Sequence, residues 1–378
     1  MAGETTVVEI EGHRLSLSNL DKVLYPATGT TKAEVLQYYA LAAPALLPVV
    51  AGRPVTRKRW PNGVDSEPFF VKNTEAGAPR WVPRQIVAHS DRPVEYPMID
   101  SAAVLTWMAQ MAALELHVPQ WRFDSHRPGR PDRMVFDLDP GPGVGLAECA
   151  QVARWVREVL QEAGSDAVPV TSGSKGLHLY VALDGTRTSD QVSATAKAVG
   201  QSLESRHPKL VTSKMAKSVR PGRVFLDWSQ NSAAKTTIAV YSMRGRERPM
   251  VAAPRTWEEV ADADLAQLDF AGVLDRLAGG IDPWRDHFGE GFSPVDGEGE
   301  GAGIESARPV AAGPDADTKA AAAAYAIAAM GGGENGEKKH GPHRWADPLE
   351  GPRGRVVRKD FSRGGQPAAS DGDRAAGG

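Results

Sequence analysis

The chain is predicted to fold as an α/β protein in which helices flank mixed β-sheets. Two observations carry that expectation. Short runs rich in β-branched and aromatic residues recur between positions 133 and 243, and longer runs with helical periodicity and helix-end signals fall among them without strict alternation. A third observation bounds the folded part: after about Phe288 large apolar residues become sparse.

The first helix is read from TTKAEVLQYYALAA (30–43), where Thr31 and Glu34 make a capping box, each side chain satisfying a backbone N–H of the other. A second is expected over DSAAVLTWMAQMAALELH (100–117), with Asp100 as its cap and His117 at its apolar end. A third, LAECAQVARWVREVLQEAG (146–164), stops at Gly164, and a fourth is read from SDQVSATAKAVGQSLESRH (189–207). The strand candidates are RMVFDLD (133–139), AVPVT (167–171), LHLYVAL (177–183), GRVFLDW (222–228) and TTIAVYSM (236–243).

The division expected is a catalytic unit over 1–288 and a low-complexity, disordered tail over 289–378 with a basic segment near 338–363. That segment has the composition of a nucleic-acid contact or of a solvated linker.

Composition narrows the class. Of 378 residues, 41% are hydrophobic and 24% charged, which fits a folded, water-soluble protein. Cys149 is the sole cysteine, so an internal disulfide and a cysteine-rich zinc site are both excluded. The first residues, MAGETTVVEIEGHR, do not resemble a secretory signal, and the small-apolar run at 320–330 is too short for a membrane helix. A cytoplasmic location without a membrane role is therefore expected. The net charge of −3 hides three basic tracts, TRKRW (56–60), KMAKSVRPGR (214–223) and RGRER (244–248). Any one of them alone would pass for a solvated face.

The most informative stretch is FDLDPGPGVG (136–145). Side chains alternate along a strand, so Asp137 and Asp139 point the same way about 7 Å apart. Two neighbouring carboxylates raise each other's pKa unless a cation lies between them, and hard divalent ions favour such oxygen ligands. Asp227 in RVFLDWSQN offers a third acid on another strand, as two-metal phosphoryl transfer requires. A D-x-D pair by itself also occurs at ordinary exposed strand ends.

TSGSKGLHLYV supplies Ser172, Lys175 and Gly176 in a turn whose backbone N–H groups and ammonium suit phosphate, followed by His178 and Tyr180 on one strand face. Its order of residues is not that of a Walker loop, and an ordinary hairpin with a surface histidine fits the same letters. Lys235 and Arg244 flank the next strand candidate, where cations would offset a triphosphate.

FDLDPGPGV, TSGSKGLHLYV, VFLDWSQN, AKTTIAVYS, LDKVLYPATGTTK and ALELHVPQWRF together resemble the polymerase domain of bacterial ligase D, a nonhomologous end-joining member of the archaeo-eukaryotic primase superfamily, over roughly residues 13 to 288. The resemblance implies a primase-like α/β core with the active site in a cleft between sheets. It implies that Asp137, Asp139 and Asp227 bind two divalent ions, Mn2+ or Mg2+. It places His117, Ser172, Lys175, Gly176, His178, Lys235 and Arg244 around an incoming NTP or dNTP.

For DNA, the resemblance assigns Lys22 and Lys32 to a downstream 5′-phosphate, Phe69 and Phe70 to template stacking, Arg220 to template positioning, and Lys58 and Arg59 to the primer or nucleotide side. Of the two adjacent phenylalanines in a strand, one is expected to turn inward. The partners implied are DNA with 5′-phosphorylated gaps or ends, Ku and a separate DNA ligase.

Ala234, Pro221 and Val240 depart from the family pattern, which puts local loop geometry at stake. No K-x-D-G ligase motif and no nuclease histidine cluster follows, so the chain is read as a free-standing polymerase or a piece ending before other modules. Two rivals are a D-x-D metal phosphohydrolase, against which Pro140 after the second acid counts, and a non-catalytic end-bridging module that recruits Ku.

Overall fold

A computed structural model describes residues 5–289. The tail expected over 289–378, with its basic segment at 338–363, lies outside the described residues except for Gly289. In chain order the strands and helices are β1 (Thr5–Ile10), β2 (His13–Ser18), β3 (Val23–Tyr25), β4 (Thr30–Thr31), α1 (Lys32–Val50), β5 (Thr56–Arg59), β6 (Phe69–Val71), β7 (Arg84–Ala88) and β8 (Pro93–Pro97). Then come α2 (Ala102–Gln110), β9 (Ala113–Val118), β10 (Trp121–Asp124), β11 (Arg127–Pro131), β12 (Arg133–Pro140), α3 (Leu146–Glu162), β13 (Val168–Thr171), β14 (Leu177–Ala182) and α4 (Ser189–Arg206). The remainder is β15 (Val211–Thr212), β16 (Val224–Asp227), β17 (Thr237–Ile238), β18 (Ala253–Pro254), α5 (Trp257–Ala261), α6 (Phe270–Ala278) and α7 (Pro283–Phe288).

Two sheets organise the centre. The larger has the order β15-β16-β12-β14-β13-β18, antiparallel throughout except for the parallel β15/β16 pair. The smaller, β17-β9-β5-β6, is antiparallel. This is the mixed α/β arrangement expected from the sequence.

Strand alternation sorts the residues of the larger sheet. Met134, Phe136 and Leu138 of β12, Leu177, Leu179 and Val181 of β14, and Val224 and Leu226 of β16 pack in one core with Val152 and Val156 of α3 and Val192, Ala196 and Leu203 of α4. The intervening residues face the other way. There Val135 and Tyr180 join a second core with α1, α2 and β9, and Asp137, Asp139, His178 and Asp227 share that face.

The first helix begins at the expected capping box: the Thr31 hydroxyl accepts from the Glu34 N–H, and the Glu34 carboxylate accepts from the Thr31 N–H at 2.7 Å. It runs on through Pro44 and Pro48 to Val50. Arginines take up its last carbonyls, with Arg53 donating to Val49 O and Arg122 to Pro48 O and Ala51 O. This helix is long and apolar enough to cross a membrane by length and composition, at a mean hydropathy of 1.3, but Val35, Leu36, Tyr38, Tyr39 and Leu46 are buried in the core.

Two expected elements differ. The 100–117 helix ends at Gln110, and its cap is Ser101, not Asp100, with the Ser101 hydroxyl accepting from Val104 N–H. Ala112 then turns left-handed at φ 55°, and 113–118 is β9. A continuous apolar run carries no periodicity to separate helix from buried strand. Hydrogen-bonding partners on both sides, β5 and β17, decide it. The TTIAVYSM strand shrinks to Thr237–Ile238, because the chain turns away through Tyr241 at φ 67°.

Candidate nucleotidyl-transfer site

The acids assemble by register. Asp137 of β12 stands directly opposite Asp227 of β16 on one side and His178 of β14 on the other, and Asp139 follows two residues along the same face. His178 Nε2 lies 3.2 Å from Asp137 Oδ1, and Tyr180 Oη lies 3.4 Å from His178 Nδ1. Asp227 accepts from Ser229 N–H at 2.9 Å, from the Ser229 hydroxyl, and from Gln230 Nε2 at 2.9 Å. The Lys235 ammonium donates to that same Ser229 hydroxyl. None of the three carboxylates is bridged to a lysine or arginine among the described residues.

Asp139 is pushed up to about 6, by burial and then by the charges of Asp137 and Asp227, against the pull of His178 and Arg220. Its surface is more than a third open to water, which tempers the burial contribution and leaves repulsion between acids as the cause that matters. Among the described residues no three acidic, histidine or cysteine side chains form a preassembled metal cluster. Asp137 is turned to His178, and Asp227 to Ser229 and Gln230. The donor set still suits hard divalent cations: oxygen ligands from two adjacent strands on one face, none of them bridged to lysine or arginine among the described residues.

The prolines and glycines after Asp139 have a packing reason. A Cβ on Gly141 would come within 2.0 Å of Arg220 O, and Gly141 N–H donates to Arg223 O at 2.9 Å. The acid-bearing strand end is thus docked backbone to backbone on the basic 214–223 tract.

The 172–176 turn joins β13 to β14 beside this end, and a Cβ on Gly176 would meet Leu138 O at 2.1 Å. Ser172 Oγ accepts from the N–H groups of Ser174 and Gly176, while Gln267 accepts from Gly173 N–H at 2.7 Å and donates to Gly176 O at 3.0 Å. Three backbone donors expected to face phosphate are therefore already used inside the protein. What the turn presents is the exposed Lys175, with Arg244 behind it, whose Cγ a Cβ on Gly173 would strike at 2.6 Å.

The smaller sheet brings the second group. Glu115 and His117 share one face of β9, with Lys58 of β5 opposite Glu115 and Phe70 of β6 opposite Lys58. His117 Nε2 lies 2.9 Å from Glu115 Oε2, and the rings of His117 and Phe70 meet edge to face at 6.1 Å. Lys58 Nζ sits 5.2 Å from the Phe70 ring and 4.8 Å from that of Trp60.

Arg59 is committed elsewhere: its Nε donates to Met111 O at 2.7 Å, one Nη reaches Glu75 at 3.2 Å, and its guanidinium lies 5.3 Å over Phe69. The expectation that one phenylalanine turns inward fails, since Phe69 is 45% and Phe70 63% exposed. Both lie on β6, the edge strand of its sheet.

The three basic tracts converge. A Cβ on Gly245 would lie 2.2 Å from the Trp60 ring, so 56–60 and 244–248 meet. Both Arg220 and Arg244 act electrostatically on Asp139. Lys22 and Lys32 adjoin at the start of α1, where Lys32 N–H donates to Lys22 O at 2.8 Å. Lys22 Nζ contacts Asn62 Oδ1 at 3.3 Å, and Lys32 Nζ donates to Ser18 O at 2.9 Å.

The sequence reading missed Glu115, Gln267 and Glu75. Glu115 had a signal, the alternation of ELH within an apolar run, whereas Gln267 and Glu75 sit in loops that carry none.

The fold is that of a mixed α/β primase-polymerase domain. Within that type the chain belongs to the family described as LigD, primase-polymerase domain, whose sequence model matches residues 31–284. It is 56% identical over 271 residues to the multifunctional non-homologous end joining DNA repair protein LigD of Mycobacterium tuberculosis, covering 70% of this chain and 36% of that one. It is 31% identical over 266 residues to the bifunctional LigD of Bacillus subtilis, covering 70% and 42%. The chain thus spans between a third and a half of the length of these relatives. A solved structure, the polymerase domain of Mycobacterium tuberculosis ligase D in complex with DNA, is 55% identical with a TM-score of 0.71, covering 72% of this chain and 98% of that one.

Proposed function

We propose that the protein is a template-dependent nucleotidyltransferase that adds ribo- or deoxyribonucleotides to primer 3′ ends at gaps and double-strand breaks in nonhomologous end joining. The observation that carries the proposal is the register of Asp137 against Asp227, with Asp139 beside them and Lys175, Lys235 and Arg244 around the same face. Asp137, Asp139 and Asp227 would hold two divalent ions, Mn2+ or Mg2+. When bound, such ions lower the pKa of an attacking hydroxyl and neutralise charge at the phosphorus during in-line displacement.

The chain's own groups do the rest. His178 holds Asp137 in place; Lys175, Lys235 and Arg244 offset the triphosphate and the pyrophosphate that leaves. Phe69 and Phe70 offer aromatic faces to unpaired template bases, a sequence-tolerant contact. Lys22 and Lys32 supply a cationic pair for a 5′-phosphate. Most DNA contacts in this scheme are to phosphates, so affinity falls steeply as salt rises. Ku and a separate DNA ligase are the partners this role calls for, in the cytoplasm at the nucleoid.

A 5′-phosphorylated gapped duplex incubated with manganese and each nucleotide tests the proposal. The unaltered protein is expected to extend the primer and release pyrophosphate, while Asp137→Ala and Asp227→Ala bind the duplex without extending it. Extension at normal rates by either variant would overturn the catalytic assignment. Release of inorganic phosphate would point to a phosphohydrolase, and loss of function in Lys22→Ala with dispensable aspartates would point to an end-bridging module.

A further inference from the structure

Glu115 has no place in the reaction as proposed, yet its side chain is only 3% exposed in the middle of the smaller sheet. Burying a carboxylate costs several kcal/mol unless its lone pairs are well matched. Here they are. Oε2 faces His117 Nε2 at 2.9 Å, and Oε1 accepts from Gly245 N–H at 3.1 Å and lies 3.4 Å from Arg244 Nε. The Arg244 contact is an ion pair without hydrogen-bond alignment. Burial alone would raise the Glu115 pKa, but the bond from His117 and the charges of Arg244, His117 and Lys58 hold it at about 2. Arg244 is anchored from behind as well, by Tyr25 Oη donating to its carbonyl at 2.9 Å.

A negative charge beneath a triphosphate pocket weakens the pull of its cations, so attraction is not what Glu115 adds. Orientation is. A free arginine loses rotamer entropy when held in one geometry, and the tautomer of a histidine is set by the bond its other nitrogen makes. With Nε2–H donated to Glu115, a neutral His117 keeps Nδ1 as its acceptor. The two Nη groups of Arg244 make no hydrogen bond among the described residues and remain available.

We propose that Glu115 is a positioning residue that fixes His117 and Arg244 as one unit aimed at the incoming nucleotide. The proposal rests on the polymerase reading and deepens it. Glu115 acts through its two neighbours and does not touch the substrate.

The test uses the full chain, with Glu115→Gln, Glu115→Asp, His117→Ala and the Glu115→Gln/His117→Ala double variant. Binding of radiolabelled nucleotide by equilibrium dialysis is measured beside kcat and KM for gap extension, with melting temperature as a control on folding. Glu115→Gln is expected to raise Kd and KM for the nucleotide roughly tenfold, the worth of a hydrogen bond to a charged group, and to leave kcat nearly unchanged. Glu115→Asp keeps the charge but withdraws it by one methylene, and is expected to weaken binding too. In the His117→Ala background the effect of Glu115→Gln is expected to shrink, because the two act in series. Unchanged nucleotide binding in Glu115→Gln, full rescue by Glu115→Asp, or strict additivity would each overturn the proposal. Failure of the unaltered protein to extend primers would sink the polymerase reading instead, and the dialysis would still decide the role of Glu115.

Discussion

The two sheets that meet at the site treat charge in opposite ways. On the larger, Asp137, Asp139 and Asp227 face one another without lysine or arginine bridges, and Asp139 is pushed up to about 6. On the smaller, every buried charge has its match: Glu115 is pulled down to about 2 by His117 and Arg244, and Glu75 takes Arg57 at 2.5 Å and Arg59 at 3.2 Å. The acid face leaves its three carboxylates without a bridge to lysine or arginine among the described residues. On the basic side Glu115 and Glu75 are paired with arginine within the protein. The contrast separates carboxylates that repel one another from carboxylates neutralised within the protein.

The largest expected effects test that contrast directly. Asp137→Ala should abolish primer extension yet leave the melting temperature unchanged or raised, because it removes a repulsion and no ion pair to lysine or arginine. Glu75→Ala should do the reverse. It strands Arg57, whose side chain is 1% exposed, with only Asn73 O as partner, and removal of one member of a buried pair costs about 3–5 kcal/mol. Urea unfolding of both variants, with extension assays alongside, reads the two costs separately. A loss of stability in Asp137→Ala as large as that in Glu75→Ala would erase the distinction between the sheets.

The same difference explains what was readable from the letters. FDLDPGPGV and TSGSKGLHLYV announce the acid sheet because polar residues at period two interrupt an apolar strand, and the observed strands 133–140 and 177–182 follow those patterns within a residue or so. The basic sheet is hidden. Its central strand, ALELHV, continues an apolar run from a true helix, and only the left-handed turn at Ala112 and two flanking strands separate them. His117 was expected at a helix end but lies on β9, so its bond to Glu115, two residues earlier on the same strand face, is not legible in the sequence. Gln267, which staples the 172–176 turn from both ends, lies far off in sequence in a segment without periodicity.

Lys32 sharpens the comparison, being a charge on the basic side without an acidic partner among the described residues. Burial, then Lys22 and Arg59, lower its pKa from 10.5 to about 8. The unfolded chain binds more protons between these values, so stability rises with pH from about 8 towards 10.5, and below 8 the full cost of burying the ammonium is felt. That cost is on the order of 3 kcal/mol. Lys32→Met is therefore expected to unfold at higher urea than the parent at pH 7 and to lose most of this advantage by pH 10. If Lys32 serves a 5′-phosphate, preference for phosphorylated over unphosphorylated gaps should fall as pH rises beyond 8, the midpoint lying higher because the phosphate favours the charged form. A Lys32→Met variant less stable than the parent at pH 7 would mean that the bond to Ser18 O outweighs the burial cost.

The smallest expected effect falls at the joint between the sheets. Tyr180 of the acid sheet reaches Thr237 Oγ1 of the basic sheet at 3.2 Å and Ile238 O at 3.4 Å, while the same hydroxyl approaches His178 at 3.4 Å. Tyr180→Phe deletes only that oxygen. The ring keeps its place against Trp284 at 5.2 Å and beneath the Arg133 guanidinium at 5.4 Å, and Thr237 still accepts from Gln120 at 2.8 Å. Stability should drop by about 1 kcal/mol, the net worth of a buried hydrogen bond. Extension should slow by a few-fold, because His178 loses one of its two constraints and the acid face shifts slightly against His117 and Arg244. If Tyr180→Phe matches the parent in extension, the shared apolar core alone aligns the two sheets, and the polar joint contributes stability without setting the geometry of the site.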